Sequence, residues 1–136
     1  MKRLFIDSDI LLDLSLRRNP FYIPAINLLN FCYQSSSVEA ATSSIAFINV
    51  NYFLKKLTPV TRTKTLKRIR TVVSIIEVNQ ETIDFALNSN FSDFEDAVQY
   101  YAAISAKADA IITRNIKDYK QSTIPVLTAE QFLRTL

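Results

Sequence analysis

Two spacings of apolar residues take turns in this chain. Short apolar runs of strand length fall at residues 3–6, 38–42, 74–78, 110–113 and 125–127. Between them, apolar residues recur every three or four positions, which is helical spacing. The first helical stretch, capped by Ser8 or Asp9, repeats Ile10, Leu11 and Leu14 and ends before Arg17-Arg18-Asn19-Pro20. Proline suits the opening turn of a helix, so the second is expected over residues 21–33, striped by Ala25, Leu28, Leu29 and Cys32. Ser43 or Ser44 caps a third, residues 45–56, and Thr58-Pro59 breaks it. A fourth covers residues 60–73, with Leu66, Ile69 and Val73 inward and Lys64 and Lys67 outward. A fifth is expected over residues 80–88. Ser92-x-x-Glu95 has capping-box spacing for a sixth, which carries Val98, Tyr101, Ala102 and Ser105 on successive turns. Thr128-x-x-Gln131 opens a last short helix in the same way.

Strands alternating with helices imply βαβ units. The expected fold is one α/β domain over residues 1–136, with a mostly parallel sheet of four or five strands and helices on both faces. There is no repeat, linker or low-complexity stretch.

Composition narrows the chemistry. The chain has no His, so an imidazole base is excluded, and its single Cys excludes an internal disulfide or a Cys/His zinc cluster. It has no Gly either, which excludes a Walker loop and a dinucleotide fingerprint. Any left-handed turn must then use Asn, Asp or a strained residue. No apolar run reaches membrane-span length, and the start MKRLFID is wrong for a signal peptide, so a cytoplasmic protein is expected. Net charge is only +3, but no acid falls between Ala40 and Ile76, where Lys55, Lys56, Arg62, Lys64, Lys67, Arg68 and Arg70 gather. A basic middle with acids at both ends suits a polyanionic substrate handled through metal ions.

The acids lie where an open parallel sheet binds ligands, outside the carboxyl ends of its strands. Asp7 and Asp9 follow the first strand; Thr113, Asn115 and Asp118 end or follow the fourth. Asp93 and Asp96, three apart, share one face at the start of the sixth helix. Five carboxylates at one edge repel unless a cation sits among them, and a hard divalent ion such as Mg²⁺ suits oxygen donors. Two such ions would clamp both oxygens of a phosphodiester undergoing cleavage, with water as the nucleophile.

Structural roles compete with this one. Asp7 could be a turn acid, Asp9 a helix cap, Asp93 a first-turn acid opposing the dipole, and Asn115-x-x-Asp118 the cap of a short turn. Asp96 lies beyond the cap positions. Asp13, Asp84 and Asp109 read as solvated surface acids. The basic residues Lys64, Lys67 and Arg68 are either a solvated face or an RNA-binding surface. Phe47, Tyr52 and Phe53 read as core rather than as a dimer face.

The segments FIDSDILLDL, TSSIAFINVNYFLKK and DFEDAVQYYAAISAKADAIITRNIKDY, in this order and spacing, resemble a PIN-domain protein, specifically a VapC-type toxin of a bacterial toxin–antitoxin pair. The resemblance implies a three-layer α/β/α sandwich and a ribonuclease using Mg²⁺ or Mn²⁺. It implies a cognate antitoxin as partner, and a homodimer. It implies metal-binding and catalytic roles for Asp7, Asp96 and Asp118, with Asp93 accessory and with Thr113 and Asn115 as the polar residues of the late turn. Asp9 stands where such proteins often have Asn. Asn49 stands where they usually carry Glu, and an uncharged amide weakens metal affinity. The chain therefore reads as a metal-dependent endoribonuclease. The rival reading is a catalytically weakened module that binds RNA or a protein. A third is a phosphotransferase of the haloacid dehalogenase type, from Asp7-Ser-Asp9, but Ile10-Leu11 replaces the Gly-Thr expected there.

Overall fold

The computed structural model describes residues 2–136. Strands β1 (Lys2–Ile6), β2 (Val38–Ser43), β3 (Val73–Ile76), β4 (Ala110–Ile112) and β5 (Val126–Leu127) form one sheet in the order β3-β2-β1-β4-β5. Every neighbouring pair is parallel, with Phe5 level with Ala41 on one side and Ile111 on the other. The crossovers are α1 (Ser8–Ser15), α2 (Tyr22–Gln34), α3 (Ser44–Phe53), α4 (Pro59–Val72), α5 (Gln80–Leu87) and α6 (Phe94–Ser105). A 3₁₀ turn, Ile116–Tyr119, precedes β5, and α7 (Ala129–Leu133) ends the fold. No helix among the described residues is long and apolar enough to cross a membrane.

Successive strand residues point to opposite faces. Leu4, Ile6, Ala40 and Ile112 therefore pack under α1, α2 and α7, whereas Phe5 and Ile111 pack against α6 through Tyr100, Ala102 and Ala103. The result is the expected three-layer sandwich. The chain leaves β1 towards β2 and later returns to place β4 on the other flank of β1. The switch point of the topology, where such sheets open a crevice, is thus between the carboxyl ends of β1 and β4.

Three local expectations change. The cap of α1 is Asp7 rather than Ser8 or Asp9, because the Asp7 carboxylate accepts from the Ser8 N–H. The cap of α6 is Asp93, accepting from the Asp96 N–H, so Ser92 and Glu95 form no capping box. Tyr52 and Phe53 are 57% and 54% exposed, and only Phe47 of that trio packs against the core.

The lack of glycine has a visible consequence. Just past the ends of α1 and α6 the chain turns left-handed at Arg17 (φ 50°) and Lys107 (φ 57°). At both, the next amide reaches back to the helix, Arg18 N to Asp13 O at 3.1 Å and Ala108 N to Ala103 O at 3.0 Å. These are Schellman closures, a place glycine usually fills. Neither Asn nor Asp is used.

Candidate active site

The Asp7 N–H donates to the Ile112 carbonyl at 2.9 Å, which extends the β1–β4 pairing to the point where both strands end. This fixes the Asp7 carboxylate at the crevice and nearly buries it. Its Oδ1 accepts from the Ser8 N–H at 2.7 Å. Its Oδ2 accepts from the hydroxyls of Thr113 and Tyr119, each at 3.0 Å. Asp9, in the first turn of α1, turns back to the same place. Its Oδ2 accepts from the Arg114 N–H at 3.0 Å, from the Thr113 hydroxyl at 3.1 Å and from the Asn115 amide at 3.3 Å. Its Oδ1 is the one buried side-chain oxygen among the described residues with no hydrogen-bond partner.

The first turn of α6 brings further charge. Burial, then the charges of Asp93, Asp118, Asp7 and Glu95, pushes the Asp96 carboxyl up to about 7. Burial and the charge of Asp7 push Asp9 up to about 6, against the opposing effect of the Arg114 and Thr113 hydrogen bonds. Burial also raises Asp7, as does Asp118; its three hydrogen bonds pull the other way. Asp7, Asp96 and Asp118, far apart along the chain, therefore sit in one another's fields. Asp118 is exposed on the 3₁₀ turn.

No Lys or Arg among the described residues forms an ion pair with this group, although the Arg114 charge lowers Asp9 from a distance. The ion pairs present join Arg3 to Glu39, Arg18 and Arg114 to Asp13, and Arg134 to Glu130. Arg114 gives Asp9 its backbone N–H but sends its guanidinium to Asp13, with Nε to Oδ2 at 2.7 Å. The Phe21 ring covers that guanidinium 4.0 Å away. Asp13 is fully buried, so its reading as a solvated acid is wrong. Asp84 and Asp109 are exposed, as expected, although Asp109 also accepts from the Arg3 N–H at 2.7 Å.

Asn49, half-buried on α3, donates through its amide to Glu95. This links α3 to the acidic turn of α6. A second link joins the Ser43 hydroxyl, which caps α3, to Gln99 of α6. Lys64, Lys67 and Arg68 lie elsewhere: they are on α4, which leads into the edge strand β3, and none pairs with the carboxylates. Arg68 lines a groove of about 490 Å³ with residues of α1, α2 and α4.

Two participants escape sequence reasoning. Nothing in the local sequence singles out Tyr119, and only its burial beside Asp7 reveals the hydroxyl's role. Glu95 reads as a cap, yet its charge adds to the field on Asp96.

Every acceptor in the crevice is an oxygen, which suits a hard divalent ion. No three acidic, thiol or imidazole groups among the described residues are gathered into a ready-made metal site. Mg²⁺ takes one or two carboxylates and keeps water for its other positions, so further acids would act on it through that water. The partnerless Asp9 oxygen and the raised Asp96 carboxyl both fit a place that favours positive charge.

A family model for the PIN domain matches residues 3–117. Among solved structures, a toxin–antitoxin complex from Klebsiella pneumoniae is similar at 25% identity and TM-score 0.69, over 93% of this chain and 97% of that one. VapBC2 from Rickettsia felis, bound to a DNA fragment from its promoter, is similar at 16% identity and TM-score 0.64, over 92% and 96%. VapC20 from Mycobacterium tuberculosis, described as a toxin cleaving the sarcin–ricin loop, is similar at 16% identity and TM-score 0.62, over 79% and 86%. Comparison with curated proteins finds no match. The family assignment sets aside the dehalogenase-type reading of Asp7-Ser-Asp9. With its model spanning most of the sequence, the chain belongs to the PIN-domain family.

Proposed function

We propose that this protein is a divalent-metal-dependent endoribonuclease, the toxin of a toxin–antitoxin pair. The observation that carries the reading is the set of carboxylates at the β1–β4 crevice whose charges act on one another with no Lys or Arg paired to them. Such a site favours a bound cation over a neutral ligand. Asp7, Asp96 and Asp118 would hold the ion, with Asp93 and Asp9 beside them. Mg²⁺ or Mn²⁺ bound there would supply Lewis acidity towards a phosphoryl oxygen and lower the barrier to attack by water.

The chain's own residues have separate tasks in this reading. The Ser8 N–H and the Thr113 and Tyr119 hydroxyls fix Asp7 and stabilise its charge. The Arg114 N–H and the Asn115 amide hold Asp9. Asn49 tethers Glu95 beside Asp96. Lys64, Lys67 and Arg68 would meet RNA phosphates away from the cut. Several of the similar structures are complexes with antitoxins, which supports a restraining protein partner. The exposed Ile48, Tyr52 and Phe53 on α3 suit a homodimer face.

The test is cleavage of a mixed RNA pool with and without Mn²⁺ by the wild type and by Asp96→Asn. The reading expects metal-dependent cleavage that the variant loses. A second reading, a weakened module that binds RNA or a protein without cutting it, is favoured by the neutral Asn49 and by the absence of three metal-capable groups gathered at one point among the described residues. RNA bound but left uncut by wild type at saturating Mn²⁺ would establish that alternative.

A further inference from the structure

Asp7 is the most deeply buried carboxylate of the crevice, and it is held by an unequal set of donors. Oδ1 takes one backbone N–H, whereas Oδ2 takes two hydroxyls. A carboxylate oxygen has about two lone-pair sites. Oδ2 is saturated only while Thr113 donates to it; otherwise the Tyr119 hydroxyl is its one donor. Thr113 cannot secure this arrangement alone. Its hydroxyl has a single proton, and it stands 3.0 Å from Asp7 Oδ2 and 3.1 Å from Asp9 Oδ2. When it donates to Asp9, only Tyr119 still donates to Asp7 Oδ2.

Tyr119 is built for that task. It is 1% exposed, its ring packs beside Phe91 at 6.4 Å between centroids, and its place is set by the 3₁₀ turn that also carries Asp118. Phenylalanine would fill the same space, so packing alone does not account for the hydroxyl.

We propose that Tyr119 is a positioning residue: its hydroxyl holds Asp7 Oδ2 whichever acid Thr113 serves, and so keeps the Asp7 carboxylate oriented to take a divalent ion. The proposal rests on the metal-dependent reading above. Partners of this kind around a ligating carboxylate are typically worth about 10–100-fold in metal affinity.

The experiment compares wild type, Tyr119→Phe and Tyr100→Phe by calorimetric titration with Mn²⁺ and by melting without metal. Tyr100 is the control, since its buried hydroxyl bonds Thr123 at 3.0 Å rather than an acid. Tyr119→Phe should weaken Mn²⁺ binding about 10–100-fold. Tyr100→Phe should bind Mn²⁺ as wild type does. A second variant guards against misfolding: Thr113→Val, which leaves Tyr119 as the sole donor to Oδ2, should bind Mn²⁺ more tightly than the Thr113→Val/Tyr119→Phe double variant. Equal Mn²⁺ affinity in wild type and Tyr119→Phe, or in Thr113→Val and the double variant, overturns the positioning role and leaves the metal-dependent reading intact. Absence of Mn²⁺ binding by wild type overturns both.

Discussion

Replacing Asp96 by Asn should make the metal-free protein more stable while destroying its response to metal. The substitution keeps shape and removes charge. Asp96 makes no ion pair, so the attraction lost is only that of a first-turn acid to the α6 dipole, about 0.3–1 kcal/mol, while the repulsion from Asp93, Asp118, Asp7 and Glu95 is relieved. The sign follows from linkage. The folded carboxyl titrates near 7, above its ordinary 3.8, so its contribution to stability is fully present below about pH 4 and is lost as pH rises through 7. Every tenfold change in proton affinity between the folded and unfolded chain is worth about 1.4 kcal/mol. The side chain is partly open to solvent, which screens most of that, leaving roughly 1–2 kcal/mol above pH 7. For a domain of this size that is about 3–8 °C in Tm.

Asp96→Asn should therefore melt at the wild-type temperature near pH 4 and several degrees higher at pH 8 in low salt. Added Mn²⁺ at 100 times its Kd should stabilise wild type by about 2.7 kcal/mol and leave the variant unmoved. Scanning calorimetry at the two pH values, with and without Mn²⁺, checks all of this. A variant less stable than wild type at pH 8 would refute the reasoning, because it would mean that a positive group or the α6 dipole outweighs the repulsion on Asp96.

Other outcomes follow from the same contacts. Mn²⁺ affinity measured by titration calorimetry should fall about tenfold per pH unit below 7, since the Asp96 proton must leave before the ion is held, and should level off near pH 8. Asp13→Asn removes the buried partner of Arg114 and should cost about 3–5 kcal/mol in urea unfolding. Lys107→Gly relieves a left-handed conformation that costs roughly 1–2 kcal/mol in a residue with a Cβ, less about 0.4–1 kcal/mol for the freer unfolded chain. It should therefore raise stability by about 0.5–1 kcal/mol in the same assay.

What the sequence disclosed was whatever its local pattern controls. An apolar strand running straight into an acid located Asp7, and the same logic at the fourth strand located Thr113 and Asn115. Parallel pairing then follows from the alternation of strands and helices. What stayed hidden depends on partners far along the chain. Asp13 sits among apolar residues of α1 and resembles any surface acid, because its partner Arg114 is 101 positions away. Ser92 and Asp93 are equally able caps; starting α6 one residue later puts Asp96, not Glu95, at the third helical position. Helix α3 is apolar on nearly every side, so periodicity could not say that Tyr52 and Phe53 face outward while Val50 and Leu54 face the core.

Charge at the crevice and stability of the fold are in opposition here, and the donors show how the opposition is managed. A buried carboxylate needs compensation, and the strongest source is an arginine. Arg114 is adjacent and makes its only hydrogen bond to Asp9 through the backbone N–H; its guanidinium is held by Asp13 and covered by Phe21, and acts on Asp9 only by its field. Asp7 and Asp9 receive amides and hydroxyls instead, which hold a carboxylate in place without cancelling its charge. Were the site merely structural, turning that guanidinium towards Asp9 would stabilise it. That the chain directs the guanidinium elsewhere, and leaves Asp9 Oδ1 without a partner, is the arrangement expected of acids whose charge is left for a cation from solution to neutralise.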